Sequence, residues 1–200
     1  MNKNKNKDNN GSHSTKLNME TGEEELMFQL NQANTKAAAF SMVVRKYQER
    51  LYWHIRKMVL SHDDANDILQ NTFLKAWEGI DNFRGDSLIS TWLYRIATNE
   101  TLTFLANKRM QNITSMDELE EVLAQNLEAD KYFDGDEAQL KLQKAILTLP
   151  ENQRLVFNMK YFDDLTYEEM EAILDTSVGA LKASYHIAVK KIEKYLTEEE

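Results

Sequence analysis

The side chains best suited to chemistry in this chain are those that can touch nucleic acid. From Leu165 to Lys182 two short helical patterns flank the polar turn Asp175-Thr176-Ser177. Thr166 and Glu169 have the spacing of a capping box, which starts a helix, and Met170, Ile173 and Leu174 form its inward face. Ser177 suits the cap of a second helix. There Val178, Leu181, Tyr185, Ala188 and Ile192 recur at alternating intervals of three and four, a buried stripe. The opposite face carries Lys182, Ala183, His186, Val189 and Lys190. Two helices about a tight turn, the second cationic on its free face, make a helix-turn-helix, which lays its second helix in the major groove of duplex DNA. The alternative is an ordinary helical hairpin with solvated lysines.

A second constellation spans Asp81–Arg109. The loop Asp81-Asn82-Phe83-Arg84-Gly85-Asp86-Ser87 precedes a helix on which Trp92, Tyr94, Arg95, Asn99 and Thr103 stand among apolar positions. Flat rings, a guanidinium and an amide in alternation suit single-stranded nucleic acid, whose unstacked bases need stacking partners and edge donors. By itself the loop looks like any interhelical connection, and Trp92 by itself reads as a core residue.

Other chemistries are excluded. His13, His54, His62 and His186 are scattered, with no partners at metal-ligand spacing, and the glycines stand too far apart for a phosphate loop. The carboxylate pairs Asp63/Asp64, Asp163/Asp164 and Glu168/Glu169 fit helix starts, where the helix dipole favours negative charge. Trp53, Trp77 and Trp92 read as core aromatics. No catalytic residue, metal or cofactor is therefore expected, and the protein is not read as an enzyme.

The elements that must position these groups are helical. Two hundred residues with six glycines, one proline and no cysteine leave few turns for a sandwich or barrel, and no thiolate for a disulfide or zinc site. No run approaches the roughly 18 apolar residues of a spanning helix, and Met1–Lys7 lacks the apolar core of a secretory signal. A cytoplasmic, all-α protein without membrane insertion is expected. Residues 1–22 read as a disordered tail. Residues 23–112 form a first helical domain. Its stripe Phe40, Val44, Tyr47, Leu51, Ile55, Met58 is followed by a helix burying Ala65, Ile68, Leu69, Thr72, Phe73, Ala76 and Ile80, and by a third with Leu93, Ile96, Ala97 and Leu105. Residues 113–137 form an acidic linker: nine carboxylates accompany a single lysine, so this stretch alone holds −8 of the chain's −9. The rest is nearly neutral, which leaves room for a DNA-facing surface. Residues 138–197 form a second small domain containing the helix-turn-helix, with Pro150 at a helix start.

These residues carry a family resemblance. Asp64-Ala65-Asn66-Asp67-Ile68-Leu69-Gln70-Asn71-Thr72-Phe73-Leu74-Lys75-Ala76-Trp77 resembles the core-polymerase-binding helix of bacterial sigma factors of the sigma-70 superfamily. Phe83–Ser87 with Thr91–Asn99 is similar to the promoter −10 reading region of the extracytoplasmic-function group. Leu149-Pro150-Glu151-Asn152-Gln153-Arg154 and the helix-turn-helix are similar to that group's −35 reading domain. The resemblance covers roughly Phe40–Arg109 and Ala138–Leu196, in the family's order.

The resemblance implies a factor that binds core RNA polymerase through Asp64, Asp67, Gln70 and Asn71. It implies that Phe83, Arg84, Gly85, Asp86 and Ser87, with Arg95, Asn99 and Thr103, capture single-stranded −10 bases. It places Lys182, Ala183, His186, Ile187 and Lys190 on the −35 duplex, and admits an anti-sigma factor as a further partner. Family members often carry arginines where Ser184 and Ile187 stand, an aromatic at His186 and an acidic residue at Asn71. Two rivals remain: a free-standing helix-turn-helix regulator that binds duplex DNA without polymerase, and a protein-interaction module. Limited proteolysis is expected to cut first within 113–137 and release two helical fragments; an earlier cut within Val43–Trp77 would contradict the division.

Overall fold

The computed structural model describes residues 25–83, Gly85, 87–112 and 137–198. The expected tail and, but for Glu137, the expected linker lie outside them. Among the described residues there is no strand. Residues 25–30 form a helical turn. Then come α1 (Lys36–Val59), α2 (His62–Gly79), the 3-10 turn Ile80–Asn82, α3 (Ile89–Asn112), α4 (Glu137–Leu147), α5 (Glu151–Tyr161), α6 (Tyr167–Leu174) and α7 (Val178–Glu198). No helix of the described residues is long and apolar enough to cross a membrane.

Helix α1 buries Phe40, Tyr47, Leu51, Ile55 and Met58 on the stripe its periodicity predicts, together with Ala39 and Val43, while Val44, expected in that stripe, is half-buried. It stops at Leu60, whose φ of 56° is left-handed and whose N–H donates to the Arg56 carbonyl at 2.9 Å. The next residue, Ser61, caps α2 by accepting from the Asp64 N–H at 3.2 Å, and Asp63 and Asp64 supply first-turn charge. The buried face of α2 is mostly small, Ala65, Ile68, Thr72 and Ala76, so α1 and α3 approach it closely. Each pair among α1, α2 and α3 packs together.

The C-terminal half is built from equally local signals. Pro150 stands at the N-cap of α5 with φ −51° and ψ 143°, ending one helix and presetting the next. The capping box forms at α6: the Glu169 N–H donates to Thr166 Oγ1 at 3.2 Å and the Thr166 N–H to Glu169 Oε2 at 2.7 Å. Ser177 Oγ accepts from the Ala180 N–H at 3.4 Å at the start of α7. Ala145, Ile146, Leu149, Phe157, Ala188 and Ile192 make a small core of their own.

The two halves are not separate bodies. Helix α5 packs on α1, and α6 on α3. Leu51, Ile55 and Met58 share one buried cluster with Leu155, Val156, Met159, Met170 and Leu181. Inside this seam lies Asp163, its side chain 4% exposed. His54 Nδ1 and Asp163 Oδ2 are 2.6 Å apart, and because an ionised carboxylate only accepts, Nδ1 donates. Lys57 Nζ donates to Asp163 Oδ1 at 2.9 Å, and His54 Nε2 lies 3.0 Å from Thr98 Oγ1 of α3.

Asp163 therefore departs from its reading as a helix-start carboxylate; it is an internal anchor, and only its neighbour Asp164 faces solvent. The tryptophans depart too. Trp53 is 43% and Trp77 39% exposed, because each lies at the edge of its helix's buried stripe, while Trp92 is half-buried.

Burial alone would raise the Asp163 pKa, but the hydrogen bond and charge of His54, followed by those of Lys57, hold it below the ordinary 3.8. A lowered folded-state pKa means a stabilisation fully present above about 3.8 that is lost as pH falls through the lower folded value. In urea titrations from pH 6 to pH 2.5, wild type should lose more stability across that acid window than Asp163→Asn; parallel curves would contradict this.

Candidate nucleic-acid interface

The face of α3 turned away from the core presents Arg95, Asn99 and Thr103, one helical turn apart and all exposed. Asn99 lines a cavity of about 620 Å³ with Lys75, Gly79, Asn82, Phe83, Ser87, Trp92, Ile96 and Glu100. Its apolar wall is a stacked pair: the Phe83 and Trp92 rings lie 4.8 Å apart at an interplanar angle of 25°. Gly79 lets the indole in, since a Cβ there would stand 3.3 Å from the Trp92 ring. The amides of Asn82 and Asn99 and the hydroxyl of Ser87 supply donors and acceptors. Lys75 and Glu100 form an ion pair at the rim.

A flat aromatic wall with amides beside it matches an unstacked base: a ring to lie against and groups to read its edge. Gly85 turns the preceding loop with φ +76°, a conformation that side chains disfavour. Arg84 and Asp86, also expected here, lie outside the described residues. Lys75, Gly79, Asn82 and Glu100 join the site although the sequence reading did not select them. Asn82 stood in the quoted loop and Lys75 in the quoted Asp64–Trp77 segment; Gly79 and Glu100 arrive because the end of α2 packs beside α3.

On α2, Asp67, Gln70 and Asn71 are exposed on one face, and Leu74 continues it, 56% exposed. Leu74 is the apolar member of this otherwise polar stripe, and the sequence reading did not select it for a role. Asp64 is engaged differently. Its Oδ2 accepts from Lys108 Nζ at 2.9 Å and ties α2 to α3.

On α7 the expected face is exposed at Lys182, Ala183, His186, Ile187 and Lys190, with Ile187 45% exposed. Leu181, Ala188 and Ile192 bury the other side. Tyr185 stacks on Phe157 with centroids 5.7 Å apart, and burial raises its pKa. Lys182 Nζ sits 5.5 Å from the centre of the Tyr167 ring, so α6 steadies a cation of this exposed face. Among the described residues no group of three His, Asp or Glu side chains is placed to hold a metal ion.

Two family models match the chain: Sigma-70 region 2 over residues 43–110 and Sigma-70 region 4 over residues 139–192. The first covers α2, the cavity and all but the last two residues of α3; the second covers the helix-turn-helix as far as Ile192. The chain is 32% identical to the ECF RNA polymerase sigma-E factor of Salmonella typhimurium over 166 residues, covering 78% of this chain and 85% of that protein. The sigma-E factor of Escherichia coli matches to the same extent. The RNA polymerase sigma-H factor of Pseudomonas aeruginosa is 30% identical, covering 79% of this chain and 86% of that protein.

Two solved structures share the fold. CnrH in complex with the cytosolic domain of CnrY superposes with a TM-score of 0.66 at 22% identity, covering 89% of this chain and 99% of that one. The sigma factor RpoE of Bartonella quintana, in complex with the anti-sigma factor NepR, gives 0.62 at 20% identity, covering 79% and 96%.

Asn99→Ala removes an edge-reading amide from an exposed position without touching the core. It should weaken binding of a single-stranded −10 oligonucleotide to the polymerase-bound protein about tenfold, the size of one good hydrogen bond, with the melting temperature unchanged. Fluorescence anisotropy and a thermal melt check both.

Proposed function

The chain belongs to the sigma-70 family, in its extracytoplasmic-function group, and serves as a promoter-specificity subunit of RNA polymerase; we propose that its surfaces divide that work as follows. The exposed stripe Asp67, Gln70, Asn71 and Leu74 of α2 docks on the core enzyme. The cavity between α3 and the loop before it holds −10 bases released from the duplex. The Lys182, Ala183, His186, Ile187, Lys190 face of α7 reads the −35 duplex. The chain supplies recognition and strand capture, while bond-making belongs to the core enzyme, and it works in the cytoplasm, where polymerase and chromosome meet. The anti-sigma partner of the Bartonella quintana relative supports a protein antagonist here as well.

One observation carries this division: the cavity joins a Phe83/Trp92 wall to the amides of Asn82 and Asn99. A free-standing duplex regulator has no use for a single-base cavity beside its helices. The lysines exposed on α7 are few, Lys182, Lys190, Lys191 and Lys194, and Lys194 pairs with Glu198, so little counterion release accompanies binding of duplex.

Labelled promoter titrated with the protein, with core polymerase and with both at physiological salt tests the reading. The protein alone should bind in the micromolar range or weaker, as non-specific contacts do. With core enzyme the second DNA contact becomes intramolecular, and affinity should rise roughly a hundredfold or more. Tight, specific binding by the protein alone, indifferent to core enzyme, would favour the regulator instead. In the bound complex His186→Ala should change −35 base preference, whereas Lys182→Ala should weaken all duplexes alike and lower the salt slope by about one.

A further inference from the structure

Among the polar side chains that line the single-strand cavity, two cannot change their hydrogen-bonding sense. The amides of Asn82 and Asn99 and the hydroxyl of Ser87 turn to present a donor or an acceptor, so they fit any base edge. An ammonium only donates, and an ionised carboxylate only accepts. Those two fixed groups are Lys75 and Glu100, and Lys75 Nζ donates to Glu100 Oε1. Among the described residues Glu100 has no second hydrogen-bond partner, which leaves Oε2 as a free acceptor.

Helix geometry accounts for where this acceptor lies. Trp92, Ile96 and Glu100 follow one another at intervals of four along α3, so the carboxylate continues the face that carries the Trp92 ring. Lys75 and Gly79 are likewise four apart, at the end of α2. The Lys75 side chain is 57% exposed and reaches in from the rim, whereas that of Glu100 is 18% exposed. A second ion pair, Lys108 with Asp64, ties the same two helices elsewhere. Joining α2 to α3 therefore does not explain why this pair stands in the cavity.

We propose that Glu100 is a specificity-determining residue of the cavity, which selects a base with an amine at C4 of a pyrimidine or C6 of a purine over one with a carbonyl there. The proposal rests on the reading of this cavity as the −10 base site. Cytosine and adenine present that amine, and thymine and guanine present an oxygen. A base lying against the Phe83/Trp92 wall shuts water out, and Oε2 must then find its donor on the base. An amine supplies it. A carbonyl oxygen meets the carboxylate as a second acceptor, and the stranded charge opposes binding. Lys75 is a positioning residue: it holds Oε1 and leaves Oε2 for the base.

The test uses single-stranded −10 oligonucleotides and the protein bound to core polymerase, read by fluorescence anisotropy. Each position carries in turn cytosine, uracil, adenine and hypoxanthine. Cytosine against uracil, and adenine against hypoxanthine, exchange the amine for a carbonyl and keep the outline of the base. At one position the amino base should bind about fivefold or more tightly than its carbonyl counterpart, the discrimination of one good base contact. Glu100→Gln, whose amide can turn, should bring that ratio near one. Asn99→Ala should weaken all four strands alike and preserve the ratio. Lys75→Met should lower the ratio and Lys75→Arg restore it, whereas a merely structural ion pair would move the melting temperature and not the ratio. The Lys75 variants give an independent arm should Glu100→Gln not fold. A ratio near one at every position in wild type, or one that Glu100→Gln leaves intact, would overturn the role of Glu100; a ratio unmoved by Lys75→Met would overturn that of Lys75. The cavity reading survives either result if Asn99→Ala still weakens binding. If Asn99→Ala affects no strand, the cavity reading fails and this proposal with it.

Discussion

A carboxylate taken out of water is the constraint on which this architecture turns. Removing an ion the size of Asp163 from solvent costs several kcal/mol, and the fold tolerates it only where donors meet the charge. Those donors come from one stripe of α1: His54 and Lys57 reach the carboxylate and Arg50 approaches the backbone carbonyl behind it. With its apolar stripe committed to the helical core, α1 carries both the packing of its own half and the docking of the other. Loss of one partner from such a buried set costs on the order of 3–5 kcal/mol, a large share of a domain's net stability. The packing of the halves therefore depends on every member of this set being present.

Helix α3 is where that contact meets the proposed −10 site. Leu93, Ala97 and Leu105 lie in the core, Thr98 hydrogen-bonds His54 at the seam, and Arg95, Asn99 and Thr103 face solvent. Tyr94 marks how dry this neighbourhood is: burial, reinforced by the Asp163 charge, pushes its pKa up to about 12. Seam and proposed single-strand cavity thus occupy different faces of one helix. The Trp92 ring, held against Gly79 and Phe83, fixes the cavity wall independently of the seam.

Much of this was legible in the sequence, and what was not has a physical reason. The stripe Phe40, Tyr47, Leu51, Ile55, Met58, the Thr166–Glu169 capping box and the break at Pro150 are local signals, encoded within a few residues, and the helices appear where those signals put them. The exposed positions on α7 and α3 follow from the same periodicity. The seam is different. His54 and Asp163 are 109 residues apart, and neither carries a local mark of the other. An aspartate pair near a helix start has a sufficient local explanation, so Asp163 looked ordinary until the chain folded back on itself. The exposed Leu74 and Trp77 show the converse: helix periodicity says which side of α2 is buried, but an apolar residue outside that side becomes visible only once the partners of the buried face are placed.

The central claim, that the two halves close on a buried carboxylate, has one direct measurement. Ser41 and Glu193 are exposed, on α1 and α7 respectively, and cysteines at those positions accept a donor and acceptor dye. Single-molecule energy transfer in the free protein should give one narrow, short-distance population. Asp163→Ala, which removes the carboxylate and leaves its donors without a partner, should broaden it toward longer distances. A wild-type distribution that is already broad, or one left narrow by Asp163→Ala, would contradict the claim.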